Sequence, residues 1–230
     1  MSTIAENLEH VRETMALACS RSGRKPEEVR LVAVSKYMDV DKILEAVEAG
    51  QTAFGENHAQ ELNEKKTFFE QHGCAVHFIG QLQTNKIKYV CGFAGLVESI
   101  DRLSLAQAMQ QKAEARGIVQ DILIQVNIGE EEQKGGVTDG DLDCFAESIA
   151  GFSHLNVRGL MCVPPAVEAE LARGYFRRMR ALFEHMRQKQ EFTAFDILSM
   201  GMSHDYPVAI EEGATEIRVG TGIFGARNQK

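Results

Sequence analysis

The chain has 230 residues, 44% hydrophobic and 25% charged, with a net charge of −8. That composition fits a globular protein with a sizeable core, and the acidic balance argues against a nucleic-acid backbone or an anionic membrane surface as the main partner. The five cysteines (Cys19, Cys74, Cys91, Cys144, Cys162) show no CxxC spacing, so neither a disulfide framework nor a zinc site is expected. No signal segment opens the chain and no run approaches the ~18 apolar residues of a membrane span, so the expected location is cytoplasmic.

Taken in order, Ile4, Leu8, Val11, Met15 and Ala18 fall at helical spacing and predict an N-terminal helix over 4–20. A strand is predicted at 29–36, then a helix at 39–49, capped by Asp39 or Asp41 and stopped by Gly50. Strand 52–55 precedes a polar helix at 59–72, and strand 76–80 a short helix at 85–90. Strand 96–100 leads to a helix capped by Asp101 and ending at Gly117. Strand 121–128 is followed by helix 140–150, and strand 157–162 by a long helix at 166–188, in which Phe176, Met179, Phe183 and Met186 read as core. Strand 195–200, a short helix at 206–212 and strand 215–220 complete the pattern. Eight strands joined by helices imply parallel pairing with right-handed crossovers, and eight units imply closure into one (β/α)8 TIM barrel with an extra N-terminal helix. The alternative is an open doubly wound sheet, which wants a glycine-rich turn after its first strand. Here that strand ends in Ser35-Lys36-Tyr37.

Barrel chemistry gathers at the C-terminal ends of the strands. Lys36 ends a row, with Val32 and Val34, that can face the barrel interior. Partial desolvation there lowers a lysine pKa and frees the amine for imine formation, whereas the plain alternative is a lysine snorkelling to water. On the last strand Ile217 and Val219 should face the helices, leaving Arg218 inward. It then either pairs with a buried carboxylate such as Glu98 or Glu216, or donates to a ligand. Gly220-Thr221-Gly222 and Gly201-Met202-Ser203 fall after strands eight and seven, where barrels recurrently bind phosphate. His58 and His77 are less decisive, Glu130-Glu131-Glu132 reads as a solvated loop, and no metal constellation stands out.

The segments Ala33-Val34-Ser35-Lys36, Phe54-Gly55-Glu56-Asn57 with Gln60-Glu61, His77-Phe78-Ile79-Gly80, Leu198 to Ser203 with Asp205, and Arg218-Val219-Gly220-Thr221 with Ile223 to Arg227 resemble the pyridoxal phosphate homeostasis protein family. The likeness runs collinearly over nearly the whole chain and implies the barrel fold of the alanine racemase barrel domain. It implies pyridoxal 5′-phosphate as cofactor, with Lys36 forming the Schiff base and Arg218 facing the pyridine nitrogen. Ser203, Gly220 and Thr221 would hold the phosphate, and Asn57, His77 and Met200 would line the ring. Tyr37 stands where threonine is common, Gln81 where a proline-like residue is, and residues 129–136 depart from the usual sequence.

The same resemblance implies a vitamin B6 homeostasis protein without substrate turnover. An alanine racemase takes a second base from a further β domain, and the sequence ends soon after Gly220, so that domain is not expected. An arginine at the ring nitrogen also weakens the cofactor as an electron sink. The competing reading is a pyridoxal-phosphate-dependent amino-acid racemase or decarboxylase. Expected partners are the cofactor itself and apo-enzymes that receive it, with the chain acting as one domain and as a monomer.

Overall fold

Thr3 starts the first helix, α1 (Ile4–Arg21), with a capping box: its hydroxyl accepts from the Glu6 N–H while the Glu6 carboxylate accepts from the Thr3 N–H. The computed structural model describes residues 3–225; Ala226 and Arg227 of the last motif lie outside the described residues. The buried face of α1 is the predicted stripe with Cys19 added.

Eight parallel strands follow: β1 (Arg30–Val34), β2 (Ala53–Glu56), β3 (Ala75–Phe78), β4 (Leu96–Ile100), β5 (Gln120–Val126), β6 (Leu155–Cys162), β7 (Ile197–Ser199) and β8 (Glu216–Val219). Each pairs with the next and β8 pairs with β1, so the sheet closes into a barrel and the open-sheet alternative is excluded. The crossovers carry α2 (Val40–Glu48), α3 (Ala59–Gln71), α4 (Ile87–Val90), α5 (Leu103–Glu114), α6 (Leu142–Ile149), α7 (Ala169–Arg187) and α8 (Tyr206–Glu211). A short α9 (Thr221–Phe224), not anticipated from the sequence, follows β8. The N-terminal helix packs against α2, α8 and α9. Asp101 does not cap α5. Arg102 takes the N-cap position, and the Asp101 carboxylate pairs with the Arg102 guanidinium at 2.6 Å instead.

Alternation along the strands divides the core into two layers. Leu31, Ala33, Phe54, Val76, Phe78, Val97, Ile217 and Val219 join the helices' apolar faces in one large cluster outside the barrel wall, which also contains Phe176, Met179, Phe183 and Met186 of α7. The intervening residues fill the barrel. Leu96, Leu123 and Met161 form a small apolar cluster there. Where β1 and β2 adjoin, the interior is tight. A Cβ on Gly55 would come within 3.0 Å of Val32 and 3.1 Å of Ile79.

Candidate ligand site at the barrel mouth

The ends of β7 and β8 build a cup from backbone amides. Gly201 sits at φ 95°, and a Cβ there would lie 2.6 Å from the Ala209 side chain, so only glycine lets the loop fold back onto α8. The Asp205 carboxylate accepts from the Met202 N–H at 2.6 Å and shapes the same loop; burial pushes its pKa up. Ser203 is thereby presented to the neighbouring strand end. Its Oγ accepts from the N–H groups of Gly220, at 3.3 Å, and Gly222, at 3.2 Å. Two amides and a hydroxyl therefore converge where Thr221, exposed at the start of α9, adds a second hydroxyl. A Cβ on Gly222 would meet Val219 at 2.9 Å, so this cradle depends on the missing side chain.

Lys36 stands beside this cup. A Cβ on Gly220 would be 3.3 Å from Cβ of Val34, two residues before the lysine. Lys36 is half-buried and lies on a turn beyond β1, closed by the Met38 N–H donating to the Ser35 carbonyl at 3.1 Å. At the end of β2, Asn57 is half-buried; its Oδ1 is buried and meets no donor among the described residues. Gly80 permits this packing, because a Cβ there would strike the Asn57 carbonyl oxygen at 2.0 Å. His58 is exposed and meets the Tyr37 hydroxyl through Nε2 at 2.6 Å. The loop after β5 is pinned by Asn127, whose amide donates to the carbonyls of Glu131 and Lys134.

Beneath the mouth lies a buried polar network. Arg218 donates from Nη1 to the Ser199 hydroxyl at 2.6 Å and from Nη2 to the Cys162 carbonyl at 2.7 Å, with Glu98 at 3.8 Å. The Ser199 hydroxyl reaches Glu98 at 2.6 Å and Glu216 at 3.1 Å. His77 approaches Glu98 at 3.0 Å and Glu216 at 3.4 Å through Nδ1. Burial opposes charge on His77, but the two carboxylates outweigh it and raise its pKa to about 10. Burial likewise opposes charge on Glu98, yet His77 and Arg218 hold it at about 2. Burial and the Glu98 charge push Glu216 up to about 7. The donor atoms of His77, Glu98 and Glu216 all lie within 4.8 Å of one another, a set of the type that binds divalent cations. Here Arg218 and a protonated His77 supply the positive charge. No motif in the sequence marks this cluster, because its members come from β3, β4 and β8.

The structure thus gathers Lys36, Ser203, Gly220 and Thr221 at one mouth, with Asn57 on the next strand end. Arg218 and His77 lie deeper, at 4% and 3% exposure, with partners inside the barrel. Arg218 faces inward as the alternation requires, with Glu98 as its carboxylate neighbour and Ser199 and the Cys162 carbonyl as its hydrogen-bond partners. Met200, just after β7, is fully buried and belongs to the large core cluster. Two partners passed over from sequence are Ser199, which bridges Arg218 to both carboxylates, and Lys65, buried behind Lys36. Lys65 sits four residues after Glu61 on a helix, the spacing that could have flagged it.

Fold and mouth together define an α/β barrel of the alanine racemase type with a cup of amides and hydroxyls at the ends of its last two strands. A profile for the alanine racemase N-terminal domain matches residues 3–228. The pyridoxal phosphate homeostasis protein of Aquifex aeolicus is 43% identical over 223 residues, covering 96% of this chain and 97% of its own. That of Escherichia coli K12 is 40% identical over 233 aligned residues, covering 99% and 98%. PipY of Synechococcus elongatus, solved with PLP bound, superposes with a TM-score of 0.84 at 31% identity, over 97% of this chain and 100% of that one. Alanine racemase of Corynebacterium glutamicum shares the fold, with a TM-score of 0.65 at 15% identity over 96% of this chain and 62% of its own. The chain belongs to the pyridoxal phosphate homeostasis protein family.

Proposed function

We propose that the protein binds pyridoxal 5′-phosphate at the barrel mouth, holds it as a Schiff base on Lys36, and serves vitamin B6 homeostasis without turning over a substrate. The observation that carries this reading is the pairing of the amide-and-hydroxyl cup at Ser203, Gly220 and Thr221 with a lysine on the adjoining strand end. The cup offers the Ser203 and Thr221 hydroxyls to a phosphate, beside the Gly220 and Gly222 amides that donate to Ser203 Oγ, and the orphaned Asn57 oxygen offers an acceptor to a ring hydroxyl. When bound, the cofactor supplies a reactive aldehyde. Lys36 would supply the amine that condenses with that aldehyde, with its oxygen released as water.

Arg218 keeps positive charge below the mouth, which disfavours a protonated ring nitrogen and with it carbanion chemistry. Relatives matching almost the full length carry a homeostasis name, which supports the same reading. We further propose that the chain acts as a single-domain monomer in the cytoplasm and delivers its cofactor to apo-enzymes. Among the described residues no helix is long and apolar enough to cross a membrane. The test is spectroscopic. The loaded protein should absorb near ~420 nm, as a protonated imine of this cofactor does, and borohydride should fix the label on the Lys36 peptide. A Lys36→Ala protein with an unchanged spectrum, or a label confined to another lysine, sinks the assignment.

A further inference from the structure

We propose that Glu61 and Lys65 of α3 are positioning residues for Lys36, fixing the turn from which its amine reaches the ligand. The proposal rests on the reading of Lys36 as the attachment point. Behind β1 and β2, the Lys65 ammonium donates to Glu61 at 2.6 Å, to Glu56 at 2.9 Å and to the Ser35 carbonyl at 2.8 Å. The Ser35 hydroxyl donates to the same Glu56 oxygen at 2.7 Å. The Glu61 oxygen that takes Lys65 also accepts the Tyr37 N–H, at 2.5 Å. One connected set of charges therefore grips the residue before Lys36 and the residue after it.

The turn needs that grip. Tyr37 sits at φ 61°, a left-handed conformation shared only by Glu130 among the described non-glycine residues. A tyrosine left to itself avoids this region, and the third position of such a turn ordinarily goes to glycine or asparagine. The hydrogen bond to Glu61 and the contact of the Tyr37 hydroxyl with His58 hold it there. If Tyr37 relaxed, the peptide that joins it to Lys36 would rotate and re-aim the lysine side chain. A buried ion pair by itself is weak evidence for stability. This one directs its free valences at the two peptide units that flank the lysine. Lys65 and Glu56 are almost fully buried and Glu61 is 16% exposed in its side chain, so the set is built into the barrel wall.

The test separates aim from fold with two ligands. Pyridoxal 5′-phosphate needs the cup and the amine; 4-deoxypyridoxine 5′-phosphate, with a methyl group in place of the aldehyde, needs only the cup. Glu61→Met removes the acceptor of the Tyr37 N–H, and Glu61→Gln restores an acceptor without the charge. In the full-length protein, Glu61→Met is expected to slow imine formation and weaken pyridoxal 5′-phosphate binding about tenfold. Binding of the deoxy analogue should stay within about twofold and the apo-protein should keep its far-UV spectrum. Glu61→Gln should recover most of the loss. Equal losses for both ligands, or unchanged imine kinetics in Glu61→Met, overturn the positioning role. If Glu61→Met does not fold, Lys65→Gln carries the same comparison: slower imine formation with binding of the deoxy analogue retained supports the clamp, and unchanged imine kinetics or a loss shared by both ligands refutes it. Absence of any Lys36 label in the unaltered protein removes the functional reading itself, and the clamp with it.

Discussion

Ser203 illustrates how much one hydroxyl organises. Its Oγ takes two amides from the loop after β8 while its own O–H stays available for an anion. Replacing it with alanine removes a donor and unties the two loops; Thr221→Val removes a donor alone. A hydrogen bond to a charged group contributes about 1.5–3 kcal/mol. Affinity for pyridoxal 5′-phosphate is therefore expected to fall roughly ten- to a hundredfold in either variant, with Ser203→Ala the more severe. Binding of unphosphorylated pyridoxal should barely change. Titration of both ligands by absorbance checks this, and equal losses would place the phosphate elsewhere.

At the scale of elements, β3, β4, β7 and β8 each contribute one or two polar residues to the barrel interior, and their charges nearly cancel. His77 has its pKa raised to about 10, so the stability it adds is complete below about 6.5, where the unfolded imidazole is also protonated. That stability is lost as pH rises through 10. Glu216, raised to about 7, acts in the same direction between about 4.5 and 7. Glu98, held at about 2, stabilises above about 4.5 and loses its contribution only as pH falls through 2. Unfolding by urea should show stability declining from about pH 6.5 toward 10. His77→Gln should flatten that slope and leave the two carboxylates facing Arg218 alone. The cost expected for breaking a buried pair is about 3–5 kcal/mol, larger at pH 5, where the charged imidazole contributes in full, than at pH 8, where part of that contribution is already lost. An unchanged pH profile in His77→Gln would show that the imidazole is not the cation of the network.

Considered as a whole molecule, the barrel brings Lys36 and the cup at Ser203, Gly220 and Thr221 to its mouth over a buried floor whose charges nearly cancel. Amino acids should exchange with Lys36 and shift the spectrum, because that step needs only an imine and an amine. Racemisation, decarboxylation and transamination should not exceed the rate of free cofactor. Incubating the loaded protein with each common amino acid in deuterated water, while following exchange at Cα and optical rotation, measures this directly. Fast, Lys36-dependent exchange with a single amino acid would make the protein an enzyme. Transfer of cofactor from the loaded protein to an apo-enzyme, faster than spontaneous release allows, is the complementary expected result.

The chain order of strands and helices was legible in the sequence because hydrophobic periodicity is local. Ile4 to Ala18 repeats at helical spacing, and the Ile217/Arg218/Val219 alternation assigned faces without any contact being known. The cup was legible for a similar reason, since glycines after the last two strands report backbone demands at their own positions. Three things had to await the tertiary structure. The partners of Arg218 and His77 come from strands far apart in sequence and meet only when the barrel closes. The packing of Met200 in the large core cluster depends on residues far from it in sequence. The grip on Tyr37 joins a turn after β1 to a helix after β2, and no pattern within either segment records that the two ends touch.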